Sequence, residues 1–320
     1  MKILVTGGLG FIGSNFIREM LSGNPDCEII NLDLVTYAGN PENLRDIEND
    51  PRYTFVQGDI CDVAIVSRIF SDHRVDAVVH FAAESHVDRS ISDASVFVRT
   101  NVLGTHVLLE GALKNGISRF IHVSTDEVYG STFEGSFTEL DNLNPSSPYS
   151  ASKAGSDLLA RSYWITHGLP VIITRCTNNF GPYQYPEKLI PLFATNLFDG
   201  KKVPVYGTGK NVRDWIYVID HCRAIAFILS RGAPGEIYNI GSGNELTNLE
   251  ITHSLLAHSG RDESRIEYVQ DRPGHDWRYS LDTTKIRSMG WRPVFDFETA
   301  MEMTVSWYAE NEWWWRPLKQ

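Results

Sequence analysis

The sequence predicts an α/β protein built on a doubly wound parallel sheet, with a smaller C-terminal lobe. Three observations carry that prediction. An apolar strand at the start of the chain runs directly into a glycine-rich turn. Further short apolar stretches alternate with helical ones as far as about Cys176. Beyond that point prolines and glycines break the alternation.

Residues 2–6 read as a buried strand, followed by the turn and a helix through about Leu21. Residues 28–32 form a second strand that ends at Asp33, and residues 53–56, 77–81, 120–123 and 171–174 continue the series. Their near-continuous apolar character fits strands covered by helices on both faces. Pro182, Pro186, Pro191 and Pro204, with Gly181, Gly200, Gly207 and Gly209, then give the texture of loops and short elements. The expected division is a dinucleotide-binding domain over residues 1–176, with segments returning to it near 217–240, and a ligand lobe formed mainly by 177–320. The aromatic run Trp313, Trp314 and Trp315 is expected to pack the last helix against the body.

A chain of 320 residues with 42% hydrophobic content can bury a substantial core. Its net charge of −11, from 40 acidic and 29 basic residues, argues against a broad nucleic-acid surface. A few local arginines and lysines still suffice for a diphosphate. Cys27, Cys61, Cys176 and Cys222 lack metal-ligand or redox spacing, so free thiols in a reducing compartment, and no metal, are expected. Met1-Lys2 leads straight into a strand, with no signal peptide expected, and no apolar run approaches the roughly 20 residues of a membrane span. The expected location is the cytoplasm.

Gly7, Gly10 and Gly13 fall between the first strand and the first helix, around Phe11 and Ile12. Glycines allow a sharp turn and close approach of backbone to a diphosphate, and the helix start supplies N–H groups and positive dipole character. Asp33, at the end of the second strand, can accept hydrogen bonds from ribose hydroxyls and repel a 2′-phosphate, which favours NAD over NADP in a Rossmann-type site. Ligands of such sheets lie outside the carboxyl ends of the strands. Leu34 and Thr36 after the second strand, Asp59 and Ile60 after the third, and Phe81, Ala82, Ala83 and Ser85 after the fourth are therefore candidates, as is Thr100 on the next helix. Asn101 beside it fits a cofactor contact or an ordinary helix-interior role.

The reactive candidates are Thr125, Asp126 and Glu127 after the strand at 120–123, with Tyr149 and Lys153 downstream. A Tyr and a Lys four apart share a helix face, where an ammonium favours the phenolate. A free phenol has a pKa of about 10 and is a poor base without such help. Two adjacent carboxylates add capacity for a second proton transfer, although Asp126 could instead cap a turn.

Together the glycine pattern, Asp33, Tyr149 and Lys153 resemble the extended short-chain dehydrogenase/reductase superfamily. Residues 124–130 (Ser-Thr-Asp-Glu-Val-Tyr-Gly), 37–40, 81–90, 178–183 and 186–191 resemble the dTDP-glucose 4,6-dehydratases within it. Leu9 and Phe180 depart from the Ala and Tyr of many relatives but keep apolar or aromatic character.

The resemblance implies an NAD-dependent lyase. Tyr149 takes the proton of the sugar 4-hydroxyl, Thr125 binds that oxygen, Glu127 is the base at C5, and Asp126 is the acid for the departing 6-hydroxyl. Lys153 holds the nicotinamide ribose, and Asn179 lies near the nicotinamide. For the sugar nucleotide it implies Ser85, Asn178, Lys188, Leu189, Pro204, Val205, Tyr206, Arg213, Asn248, Arg272, His275 and Tyr279. It also implies a homodimer through helices near 94–114 and 149–166, with Leu103, Val107, Leu108, Leu158 and Leu159 as apolar positions that core burial would explain equally well. The alternatives are a UDP- or GDP-sugar 4,6-dehydratase, an NAD-dependent sugar-nucleotide 4-epimerase and a non-catalytic NAD-sensing protein. An epimerase has no need of the carboxylate pair.

Overall fold

The apolar strands assemble into one seven-stranded parallel sheet. In this computed structural model, which describes residues 1–271 and 275–319, the strands are β1 (Lys2–Thr6), β2 (Glu28–Asp33), β3 (Tyr53–Gln57), β4 (Ala77–His80), β5 (Arg119–Thr125) and β6 (Val171–Cys176). They are followed by β7 (Asn178–Phe180), β8 (Val203–Tyr206), β9 (Val212–Tyr217), β10 (Ile237–Ile240), β11 (Glu245–Thr247) and β12 (Ile266–Val269). The large sheet has the order β10-β6-β5-β4-β1-β2-β3. Every residue of β4 and β6 is buried, which is why these strands show no apolar–polar alternation. The order reverses between β1 and β4, and the crevice at their carboxyl ends is where a doubly wound fold receives its ligand.

Helices Phe11–Gly23 and Val218–Arg231 cover one face, packing Phe16, Ile17, Ile225 and Ile228 against β1 and β4. Helices Val63–His73, Thr105–Asn115 and Pro148–His167 cover the other. After Val218–Arg231 the chain returns to the main sheet, where β10 pairs with β6.

A second core gathers Phe180, Phe193, Trp215, Leu255, Met301 and Tyr308 beneath the small sheet β11-β9-β7 and the pair β12-β8. Trp314 and Trp315 are buried there, and their indole N–H groups donate to Asn43 Oδ1 and the Tyr308 carbonyl, both at 2.7 Å. Trp313 stays exposed.

Three local details bear on the sequence reading. Phe81 lies beyond the end of β4 rather than within it. Asn101 sits in a π-helical turn, Val98–Gly104, and its side chain is spent on structure. Its Oδ1 accepts from Glu84 N at 2.9 Å, while Nδ2 donates to the Glu84 carbonyl and Ser152 Oγ. Val107 and Leu108 are buried in the main core, whereas Leu103 and Leu158 are exposed.

Two glycines of the turn are required by space. Gly7 has φ of +71°, and a Cβ there would lie 2.7 Å from the Ala82 backbone. A Cβ on Gly13 would lie 2.3 Å from the Gly7 carbonyl oxygen. Gly13→Ala should therefore destabilise the fold by about 1–3 kcal/mol, the usual cost of overpacking, read as a lowered midpoint in thermal or urea unfolding.

Candidate active site

A cleft of about 630 Å³ runs from the glycine turn, past the end of β5, to β8 and β9. Of the described residues to which the sequence pointed as site candidates, all but Asn101 line it. Arg272 lies outside the described residues.

The dinucleotide half is built at the ends of β1 to β4. Helix Phe11–Gly23 begins at Gly10 with no side-chain cap, so its first-turn amides are available to an anion. Asp33 is buried, with Oδ2 accepting from Leu9 N at 2.9 Å and Oδ1 from Val35 N at 2.8 Å. Burial pushes its carboxyl up, and the two amides oppose that shift. Each carboxylate oxygen retains a further lone-pair site for a ribose hydroxyl. At the far edge Asp59 accepts from the Arg99 guanidinium at 2.9 Å. An uncapped helix start beside a fixed carboxylate fits NAD.

The reacting centre grows from the carboxyl end of β5. Thr125 Oγ1 accepts from Glu127 N at 3.3 Å, fixing the short helical turn Asp126–Tyr129, and donates to Asp126 Oδ1 at 3.1 Å. Asp126 is buried, and its Oδ2 has no hydrogen-bond partner. Burial, then the charge of Glu127, push its pKa up to about 8. Asp126 is thus held protonated at neutral pH, and the pair needs no metal to separate its two protonation states.

Helix Pro148–His167 brings Tyr149 and Lys153 to the same point. Ser147 and Ser150 form a capping box at its start, which fixes where the helix begins and hence which face these residues occupy. Lys153 Nζ donates to the Val123 carbonyl at 2.8 Å. Tyr149 is buried and hydrogen-bonded with Thr125. The expected lowering of the phenol by Lys153 is outweighed. Burial, followed by the charge of Glu127, pushes Tyr149 well above its ordinary value. Lys153 is itself pushed down by burial, with Asp157 opposing.

The other half of the cleft is framed by β7, β8 and β9. Arg213 on β9 is buried, stacked 4.3 Å from the Tyr279 ring, and donates to the Val212, Trp277 and Asp276 carbonyls. Tyr279 donates to Asp276, which also accepts from Ser146 Oγ at 2.6 Å. Lys188 Nζ donates to the Ser85 carbonyl at 3.0 Å, and His275 Nδ1 lies 2.7 Å from Asp271 Oδ1. Asn179 is held by the Thr177 carbonyl and by His221, a buried imidazole pushed down to about 3 and therefore neutral.

No local signal in the sequence points to His221. Glu187 and His86 also line the cleft. Glu187 lies inside the segment 186–191 already singled out, but its partners come from distant parts of the chain. Among the described residues no group of three or more His, Cys, Asp or Glu could hold a metal, and no helix is long and apolar enough to cross a membrane.

Fold and site together define a dinucleotide-dependent Tyr–Lys enzyme of the Rossmann type with an added carboxylate pair. The family described as GDP-mannose 4,6 dehydratase matches residues 4–304, and the chain belongs to it. It is 54% identical to a dTDP-glucose 4,6-dehydratase of Streptomyces niveus, over 100% of this chain and 96% of that protein. The crystal structure of DesIV, a dTDP-glucose 4,6-dehydratase from Streptomyces venezuelae solved with NAD bound, superimposes with a TM-score of 0.97 at 57% identity, covering 99% of this chain and 100% of that one. A UDP-glucose 4-epimerase from Thermus thermophilus, in complex with NAD, gives 0.90 at 31% identity, covering 97% and 99%.

Asp126 binds its proton more tightly folded, at about 8, than at its ordinary value of 3.8. The stability this contributes is fully present below about pH 4 and is lost as pH rises through about 8. Asp126→Asn, which cannot ionise, should therefore gain melting temperature relative to the parent protein across that window and level off above it. Thermal scans at a series of pH values check this.

Proposed function

We propose that this protein dehydrates dTDP-glucose to dTDP-4-dehydro-6-deoxy-glucose, with NAD as a cofactor that ends each cycle as it began. The observation that carries this reading is the Asp126–Glu127 pair beside Tyr149, with Asp126 held protonated next to an acidic neighbour. Residues 1–176, with the returning 217–240, hold the dinucleotide, and 177–320 hold most of the sugar nucleotide.

The NAD pyrophosphate is assigned to the start of helix Phe11–Gly23, and its adenine ribose to Asp33. When bound, NAD supplies what no side chain can, a hydride acceptor for C4 of the sugar and a donor to C6. Tyr149 takes the proton of the 4-hydroxyl, with Thr125 bound to the same oxygen. Lys153 and, when bound, the cationic nicotinamide would offset the upward pull of burial, so that the phenol can ionise and accept that proton. A ketone at C4 acidifies the C5 hydrogen, so Glu127 can remove it as general base. Asp126, already protonated, delivers its proton to the 6-hydroxyl, which departs as water. Glu127 then returns a proton to C5. Arg213 and Asn178 hold the diphosphate, and Lys188, Tyr206 and His275 enclose the sugar and base.

The four cysteines are free thiols, which fits work in the cytoplasm, where nucleotide sugars are made. The assembly is a homodimer. Val98 and Leu103 on the helical stretch 95–115 and Leu158 on Pro148–His167 are exposed, and Val98 and Leu103 border an apolar groove together with Leu159. Light scattering at micromolar concentration should give twice the chain mass, and Leu103→Glu with Leu158→Lys should halve it.

Incubation with dTDP-glucose in deuterated water, followed by mass spectrometry and NMR, tests the reaction. Loss of water with deuterium at C5 is expected, whereas inversion at C4 with the 6-hydroxyl retained would overturn it. Glu127→Gln should lower elimination by about 100-fold or more while leaving oxidation at C4 measurable, the scale of a lost general base.

A further inference from the structure

The loop that follows β2 is anchored at both ends and tied across the cleft at its middle. At one end Val35 N donates to Asp33 Oδ1, and at the other Asn40 N donates to the Leu9 carbonyl at 3.0 Å. Between these anchors Thr36, Ala38 and Gly39 line the dinucleotide half of the cleft. Tyr37 instead bonds to the segment on the other side of the cleft. Its hydroxyl donates to Glu187 Oε1 at 3.0 Å, 150 residues away in the segment that leads into helix Leu189–Phe198.

Three further groups close around this contact. The Arg89 guanidinium lies 3.6 Å from the centre of the Tyr37 ring and 3.8 Å from Glu187 Oε2. His86 Nε2 is 3.6 Å from the same oxygen, and the Tyr185 ring meets Tyr37 edge-on at 5.4 Å. Burial and Lys188 push His86 down, so Arg89 is the lasting positive charge on Glu187. Burial and Glu187 push Tyr37 up, so its hydroxyl remains a donor. Glu187 keeps only 14% of its side chain exposed, and a charge-assisted bond so shielded is stronger than one at the surface. Next to it, Lys188 ties the same segment to the Ser85 carbonyl.

We propose that Tyr37, Arg89 and Glu187 form a clasp that closes the cleft over the bound dinucleotide and slows its release. This rests on the hydride-return reaction above, which supplies the need for it. The hydride taken from C4 must go back to C6 of the same sugar. If the reduced cofactor left midway, a keto sugar and an enzyme unable to finish would remain. The anchors at Asp33 and Leu9 hold the ends of the loop whether or not the clasp is closed. Removing the Tyr37 hydroxyl therefore frees the middle of the loop and leaves the rest of the site in place.

The test uses the full chain loaded with NAD. Dissociation is followed by chase with excess unlabelled NAD after loading with fluorescent etheno-NAD, and bound nucleotide is counted after gel filtration. Tyr37→Phe and Arg89→Gln should each release the dinucleotide about tenfold faster, the scale of one lost bond to a carboxylate. Affinity for dTDP should stay unchanged. Release at the parental rate in both variants would overturn the clasp. So would an equal weakening of dTDP binding, which would mark ordinary packing between the lobes. Failure to dehydrate dTDP-glucose would remove the reaction while leaving the release measurement to judge the clasp by itself.

Discussion

The bond from Lys153 Nζ to the Val123 carbonyl joins the helix that carries Tyr149 to the strand that leads into Asp126 and Glu127. One helical turn earlier stands Tyr149, and two residues beyond Val123 stands Thr125, so this contact sets the register between them. Behind it lies a buried charge group. Arg175 donates to Asp157 Oδ2 at 2.9 Å, and His122 lies 3.3 Å from Oδ1. A lysine buried this deeply loses charge unless a carboxylate opposes the loss, and Asp157, four residues further along the same helix face, opposes it. Removing one member of such a group would leave an uncompensated charge, which makes the arrangement rigid as well as costly to break.

The electrostatics of the centre follow from that rigidity. Asp126, Tyr149 and Cys176 are all pushed up, each chiefly by burial, and neighbouring acidic groups add to each shift. The result is a pocket in which Asp126 holds a proton before substrate arrives. A protonated carboxyl adjacent to a second carboxylate is an acid and a base side by side. The chain sets the two carboxyls at different depths, since Asp126 is sealed beneath the turn it begins while Glu127 is only partly buried.

The fold class and most of the site were legible in the sequence because both depend on local signals. Strands buried on both faces are uniformly apolar, and the glycine turn must follow the first of them. Asp33, Tyr149 and the Thr125–Glu127 run sit at strand ends or on one helix face, where sequence spacing translates directly into position. The properties that depend on distant contacts were not legible. Nothing near Tyr37 announces Glu187, 150 residues on. Nothing near Asn179 announces His221. The pull of Lys153 on Tyr149 was read from spacing alone, and burial, which spacing does not report, reverses the net direction. Leu108 and Leu158 look alike in sequence, yet one is in the core and the other faces outward.

The likeness to a UDP-glucose 4-epimerase, at a TM-score of 0.90, shows how little of the chemistry resides in the frame. A parallel sheet with a glycine turn, an acidic residue after the second strand and a Tyr–Lys pair delivers a dinucleotide to a sugar hydroxyl, and by itself goes no further than oxidation and return. Elimination of water requires in addition an acid for the leaving oxygen and a base for the neighbouring carbon, both within reach of the same ring. Thr125 supplies the link between the two requirements. Its hydroxyl fixes the turn through Glu127 N, donates to Asp126 and is hydrogen-bonded with Tyr149. One side chain at a strand end thus ties Tyr149 to the Asp126–Glu127 pair.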